Sequence, residues 1–168
     1  LGEKPLDDSP EGVAGVDPVM IERFKKLLDI GEEFGVTFVV GLITGWMSGR
    51  LYAPSALEGR KPITDPLSIK WQLKFIRYMV TKFKYHKAIA AWELGNECNC
   101  MTHVEKSEDA YNWVSLITDA VKRCDNTRPM ISGMHSQRVE GFWRIKDQAE
   151  ILDVLTTHPY SIFVPYCD

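Results

Sequence analysis

Residues 88–100, AIAAWELGNECNC, place an amide and a carboxylate, Asn96 and Glu97, at the end of a small apolar run, with Cys98 and Cys100 directly behind them. These residue types allow three kinds of chemistry. Glu97 can give and take a proton as a reacting acid, it can join the thiols in holding a metal ion, or it can sit as a solvated loop residue. The four cysteines, Cys98, Cys100, Cys124 and Cys167, match neither a disulfide framework nor a CxxC zinc pair. Cys98 and Cys100 reach a ligand set only if His103 and a distant group converge on them. No metal or other cofactor is therefore expected. The thiols read as free, which leans toward a reducing compartment.

Glu93 is the nearest candidate for a second carboxylate. On a strand, Glu93, Gly95 and Glu97 share one face, and Trp92, Leu94 and Asn96 share the other. Four residues at ~3.3 Å each set the two acids roughly 13 Å apart. Paired carboxylates that cleave glycosides stand about 5–5.5 Å apart for retention and about 6.5–9.5 Å for inversion. Glu93 is therefore no partner for Glu97. If buried, it calls for a basic group on a neighbouring strand.

The elements that must position these groups alternate along the chain. Residues 1–16 show little periodicity and read as an N-terminal loop or tether, which leaves 17–168 as one domain. Asp17-Pro18 supplies an N-cap and a first-turn proline, Met20, Phe24, Leu27 and Leu28 follow at helical spacing, and Gly35 marks a stop. VTFVVGLIT, residues 36–44, is a β-branched run apolar on both faces, as a buried parallel strand requires. A long loop leads to Asp65-Pro66 and a second helix with the stripe Ile69, Leu73, Ile76, Val80 and Phe83. AIAAWELG is the second strand, and Ser107 caps a third helix with Ala110, Val114, Ile117, Val121 and Cys124 on one face. PMISGM, residues 129–134, is the third strand; a short helix at 145–150 leads into a fourth, ILDVLTTH, residues 151–158.

This alternation implies an α/β protein with parallel strands. The first strand is followed by neither GxGxxG nor GxxxxGK[ST], so a nucleotide-binding open sheet is disfavoured, and Gly41 reads as a packing glycine. Polar groups instead collect at strand ends: Trp46 after the first, Asn96 and Glu97 after the second, His135 after the third, His158 and Tyr160 after the fourth. A (β/α)8 barrel builds its site there.

Composition narrows the field. With 168 residues, 45% hydrophobic, the chain supports one cored domain. The formal charge of −3 is spread without a basic patch, so no nucleic-acid partner is expected. No apolar run approaches the roughly 20 residues that span a bilayer, so no membrane partner is expected either. No charged-then-apolar leader follows Leu1, and the compartment stays open.

WELGNE at a strand end resembles the acid/base signature of the clan A glycoside hydrolases, the retaining (β/α)8-barrel enzymes that include cellulases, mannanases and β-galactosidases. AEILDVLTTHPY, residues 149–160, resembles the sixth-strand segment of that clan, and the two motifs stand in the clan's order. The resemblance implies an incomplete TIM barrel, about strands three to six with their helices. It implies Glu97 as general acid/base, Asn96 on the sugar 2-hydroxyl, and His158 and Tyr160 orienting substrate or nucleophile. Trp46 could stack on a sugar face, and His135 is a further candidate. The clan's nucleophile ends strand seven, which this chain does not reach. The expectation is therefore a fragment of a retaining β-glycosidase, inactive alone, whose partners are a glycoside substrate and a homodimer mate or barrel remainder over its edges. A non-catalytic carbohydrate-binding relative is the alternative, and a metal or redox protein using Cys98, Cys100 and His103 is a third.

Overall fold

A computed structural model of the chain describes residues 6–136 and 141–158. In chain order the elements are α1 (Pro10–Ala14), α2 (Pro18–Glu33), β1 (Phe38–Gly41), β2 (Trp46–Met47), β3 (Arg50–Leu51), α3 (Pro66–Phe83), β4 (Ile89–Glu93), α4 (Ser107–Cys124) and β5 (Met130–Ile131). Short 3-10 turns lie at Ser55–Leu57, Cys98–Cys100 and Ile145–Gln148.

β1, β4 and β5 form a parallel sheet in that order, with α3 and α4 as the crossovers. Bridges Ile131↔Val154 and Met134↔Thr157 add the last segment in parallel. Consecutive β/α units laid side by side in chain order are the arc of a barrel.

Register separates the two faces. Val40, Trp92 and Met130 are neighbours across the sheet and join one core with Ile76 and Val80 of α3 and Val114, Ile117 and Val121 of α4. Gly41, Glu93 and Ile131 line the opposite face, together with Val39 and Val154. That face is open: Val39 is 52% exposed and Val154 40%. The run at 36–44, read as buried on both sides, is thus buried on one, because no second layer covers the other among the described residues.

Local chemistry explains the helices. The Asp17 carboxylate accepts from the Val19 N–H at 2.8 Å, and Asp65 accepts from Leu67 and Ser68, each cap preceding a first-turn proline. On α2 the buried stripe is Ile21, Leu28 and Gly31, with Phe24 edge-on to Phe83 at 5.0 Å. Met20 and Leu27, read as part of the stripe, are exposed, since the helix is rotated one residue from that reading. α4 begins at Ser107 itself, with Lys106 at the N-cap position and no side-chain cap. Glu108 and Asp109 in its first turn still complement the helix dipole.

Three further segments depart from the sequence reading. Residues 10–14, read as loop or tether, form α1, capped by Ser9 and tied to α3 by a hydrogen bond from the Tyr78 hydroxyl to Glu11. The loop after β1 folds into the β2–β3 hairpin. The short helix read at 145–150 is a 3-10 turn, Ile145–Gln148, rather than an α-helix, and 151–158 pair among the described residues through the two bridges.

The strand ends approach closely at Gly133, whose φ is 61°. A Cβ there would stand 2.2 Å from the Gly95 carbonyl oxygen and 2.9 Å from Glu93 Cδ. Gly133→Ala is expected to lower unfolding free energy by roughly 2 kcal/mol or more, read as a shift in the urea midpoint. An unchanged midpoint would show that β4 and β5 can separate there without cost.

Candidate active site

β4 delivers Glu97. Beyond Glu93 the chain bends at Gly95, where a Cβ would stand 2.0 Å from the Ile43 carbonyl oxygen, so only glycine admits this contact with the segment after β1. Glu97 then takes a left-handed conformation, φ 51° and ψ 45°. That geometry is unfavourable for a residue with a Cβ by about 1–2 kcal/mol and is held by its surroundings.

Glu97 is only 8% exposed. Its Oε1 lies 3.1 Å from His158 Nδ1 and 3.1 Å from His135 Nδ1. Both histidines come from the ends of the next two strand segments, so three neighbouring strand ends converge on one carboxylate. Asn99 fixes the His135 backbone, its Oδ1 accepting the His135 N–H at 2.9 Å. Asn96 donates from Nδ2 to the Trp46 carbonyl at 2.8 Å, which joins the β2–β3 hairpin to the end of β4.

A hollow of about 550 Å³ opens over these groups, lined by Asn96, Glu97, Cys100, His135 and the hairpin residues Trp46 to Gly49. Of the predicted residues, Glu97, Asn96, Trp46 and His135 line it. His158 holds Glu97 from the side, and Tyr160 lies outside the described residues. The sequence reading passed over Asn99 and took Cys100 only as a metal or redox thiol beside Cys98 and His103. Neither carries a signal of its own; the turn Cys98–Cys100 brings them round to His135 and to the hollow.

Burial pushes the Glu97 carboxyl upward, but hydrogen bonds and charge from His135 and His158 outweigh it and hold the pKa below the ordinary glutamate value. A carboxyl that protonates a leaving oxygen needs a raised pKa, as a second carboxylate nearby would supply, so this depression runs against that requirement in the chain as it stands. Glu97 is the only carboxylate among the described residues lining the hollow. Glu93 behaves in the opposite way. Burial raises its pKa, offset in part by His158, and no hydrogen bond or ion pair reaches its carboxylate among the described residues. The expected basic partner on a neighbouring strand is thus replaced by the more distant charge of His158. Gly41 leaves Glu93 room, since a Cβ there would stand 3.2 Å from Glu93 Oε2.

The thiols divide. Cys98 is buried, contacts the Ile43 carbonyl at 3.7 Å and is pushed by burial far above the usual thiol range. A thiol in that state is inert. The set Cys98, Cys100 and His103 does not converge. The ligand atoms of Glu97, Cys100 and His135 do, all within 4.8 Å of one another.

No family model matches the chain. It is similar to a probable mannan endo-1,4-beta-mannosidase C of Aspergillus terreus, 25% identical over 66% of this chain and 31% of that protein. It is also similar to a mannan endo-1,4-beta-mannosidase A of Podospora anserina, 26% identical over 86% of this chain and 36% of that protein. Among solved structures, an exo-beta-1,4-mannosidase from Opitutaceae bacterium strain TAV5 superposes with a TM-score of 0.79 at 24% identity, covering 94% of this chain and 30% of that one. The chain thus spans about a third of the length of the curated relatives it matches. The resemblance to clan A glycoside hydrolases is borne out, and the fold is an incomplete TIM barrel.

Proposed function

We propose that this chain carries the acid/base part of a longer retaining β-glycosidase that acts on β-1,4-linked mannosides. The observation that carries the reading is Glu97, buried at the floor of a sugar-sized hollow where parallel strand ends meet, with Asn96 directly before it. The substrate class is taken from the names of the relatives, and the acid/base role from the clan motif.

The chemistry follows a double displacement. A carboxylate attacks the anomeric carbon while Glu97 passes its proton to the departing glycosidic oxygen, which leaves as an alcohol. Glu97, now ionised, takes a proton from the water that cleaves the glycosyl–enzyme bond, and the starting configuration returns. Asn96 commits Nδ2 to Trp46, which leaves Oδ1 to accept from a sugar hydroxyl. His135 and His158 orient the Glu97 carboxylate. Their pull on its pKa has to be overcome when substrate arrives. A sugar that displaces water and a negative nucleophile opposite both push the carboxyl upward.

The nucleophile belongs to the rest of the barrel, and that remainder also covers the open face at Val39 and Val154. Without it the chain is inactive. A second copy over the same face is the alternative cover, and light scattering of the isolated chain separates the two: a monomer favours the remainder.

The test is an assay of the full-length protein on a β-1,4-manno-oligosaccharide, with the first-formed product followed by NMR. Hydrolysis that releases the β-anomer supports the reading. Inversion overturns the retaining mechanism. Binding without turnover favours a carbohydrate-binding relative, a second reading supported by Glu97 being the single carboxylate among the described residues that line the hollow.

A further inference from the structure

We propose that Glu97, Cys100 and His135 form a binding site for one thiophilic divalent cation, with Zn2+ the fitting member of that class. Three donors of different kinds, a carboxylate oxygen, a thiol sulfur and an imidazole nitrogen, lie within 4.8 Å of one another on two adjacent strand ends. Around a tetrahedral zinc such donors stand about 3.3–3.6 Å apart, given Zn–N and Zn–O of about 2.0–2.1 Å and Zn–S of about 2.3 Å. Side-chain rotations that draw the three together by about 1 Å complete the geometry.

The donor set selects the ion. A thiolate with an imidazole favours zinc or cadmium, whereas magnesium and calcium take oxygen ligands. On binding, the Cys100 S–H bond breaks, its proton goes to solvent, and the sulfur lone pair forms the metal bond. Three protein ligands leave a fourth position for water. His158 Nδ1, 3.1 Å from Glu97 Oε1, stands outside this converging set and acts as a partner of Glu97. The hollow gives the ion access from solvent. Asn99 supplies outer support, since its Oδ1 fixes the His135 backbone and with it the ring position.

An ion held here occupies the oxygen that the proposed mechanism uses to move a proton, so metal and substrate exclude each other. Metal binding itself stands apart from that mechanism and is read without it.

The experiment titrates reduced full-length protein with Cd2+ and follows the ultraviolet thiolate-to-metal charge-transfer band, with Zn2+ affinity measured by calorimetry. One equivalent is expected to produce the band in the wild type. Cys100→Ser should remove the band and weaken Zn2+ binding at least tenfold, while Cys124→Ser changes neither. His135→Gln should keep a thiolate band but weaken binding by a similar factor, and it serves if Cys100→Ser fails to fold by circular dichroism. The site is overturned if no band forms, or if band and affinity are unchanged in both Cys100→Ser and His135→Gln.

Discussion

Replacing Glu97 with glutamine in the full-length protein is expected to lower kcat/KM on an unactivated β-mannoside by about 10²–10⁴-fold, the usual contribution of a positioned proton donor. Glutamine keeps the shape and can still meet His135 and His158, so the loss reports the proton rather than packing. The leaving group supplies the second readout. A nitrophenolate departs without protonation, so an aryl mannoside should lose far less in the step that forms the glycosyl–enzyme than an alkyl glycoside or oligosaccharide does. The step that hydrolyses this intermediate still lacks its base, so a burst followed by slow turnover is expected on the activated substrate. Equal losses on both substrates would mean that Glu97 holds the site together without moving a proton. No loss on either would remove it from the reaction.

Asp125→Ala is expected to have the largest effect on stability. The Asp125 carboxylate, 4% exposed, accepts from Trp92 Nε1 at 2.9 Å, from the Thr127 hydroxyl at 2.6 Å and from Arg128 Nη1 at 2.9 Å. Arg128 in turn donates to the backbone carbonyls of Ile89, His86 and Lys84, where β4 begins. One carboxylate therefore ties the end of α4 to the start of the strand that carries Glu97. Removing it leaves the Trp92 N–H and a half-buried guanidinium without their partner. Breaking such a pair costs about 3–5 kcal/mol. Against a typical domain stability of about 5–15 kcal/mol, that is enough to unfold much of the population at moderate urea. Asp125→Asn, whose one amide oxygen can keep the Trp92 and Arg128 contacts while its NH2 faces Thr127, should cost less. A loss below about 1 kcal/mol for the alanine variant would show that the cluster is surface decoration.

The same group predicts a pH dependence. Burial pushes the Asp125 carboxyl up, but the hydrogen bonds from Thr127 and Trp92, joined by Arg128, outweigh it and bring its pKa from 3.8 to about 2. A carboxyl with a depressed folded-state pKa binds its proton more readily when unfolded. Its contribution is complete above about pH 4 and drains away as the pH falls to about 2, a span worth about 2 kcal/mol. Urea midpoints measured from pH 5 to pH 2 should fall less steeply in Asp125→Asn than in the wild type. Parallel slopes would assign the acid sensitivity to other carboxylates.

Much of the architecture could be read from local pattern, because the signals act over a few residues. Asp17-Pro18 and Asp65-Pro66 start helices where expected, since a cap and a proline determine backbone geometry within one turn. The β-branched run at 36–44 and AIAAWELG both contain strands. The motifs WELGNE and AEILDVLTTHPY carried the resemblance to the clan A glycoside hydrolases and to their barrel, and drew attention to Glu97, Asn96 and His158. Where reading failed, a distant neighbour decided. Which stripe of α2 is buried depends on Phe83, which meets Phe24 from another helix. The start of α1 is the exception, a local Ser9-Pro10 cap that went unread, while its docking depends on Tyr78, far along the chain.

The amino-acid order by itself determined the alternation of helix and strand, the resemblance to the clan, and the attention drawn to position 97, because caps, periodicity and short motifs are local properties of the chain. Only the tertiary structure decided what surrounds that acid. His135 and His158 reach it from two other strand ends, Cys100 turns back toward it, and Cys98 turns away into the core. These distances depend on how parallel strands stagger and how loops close over their ends. Long-range packing sets that stagger, and no window of sequence contains it.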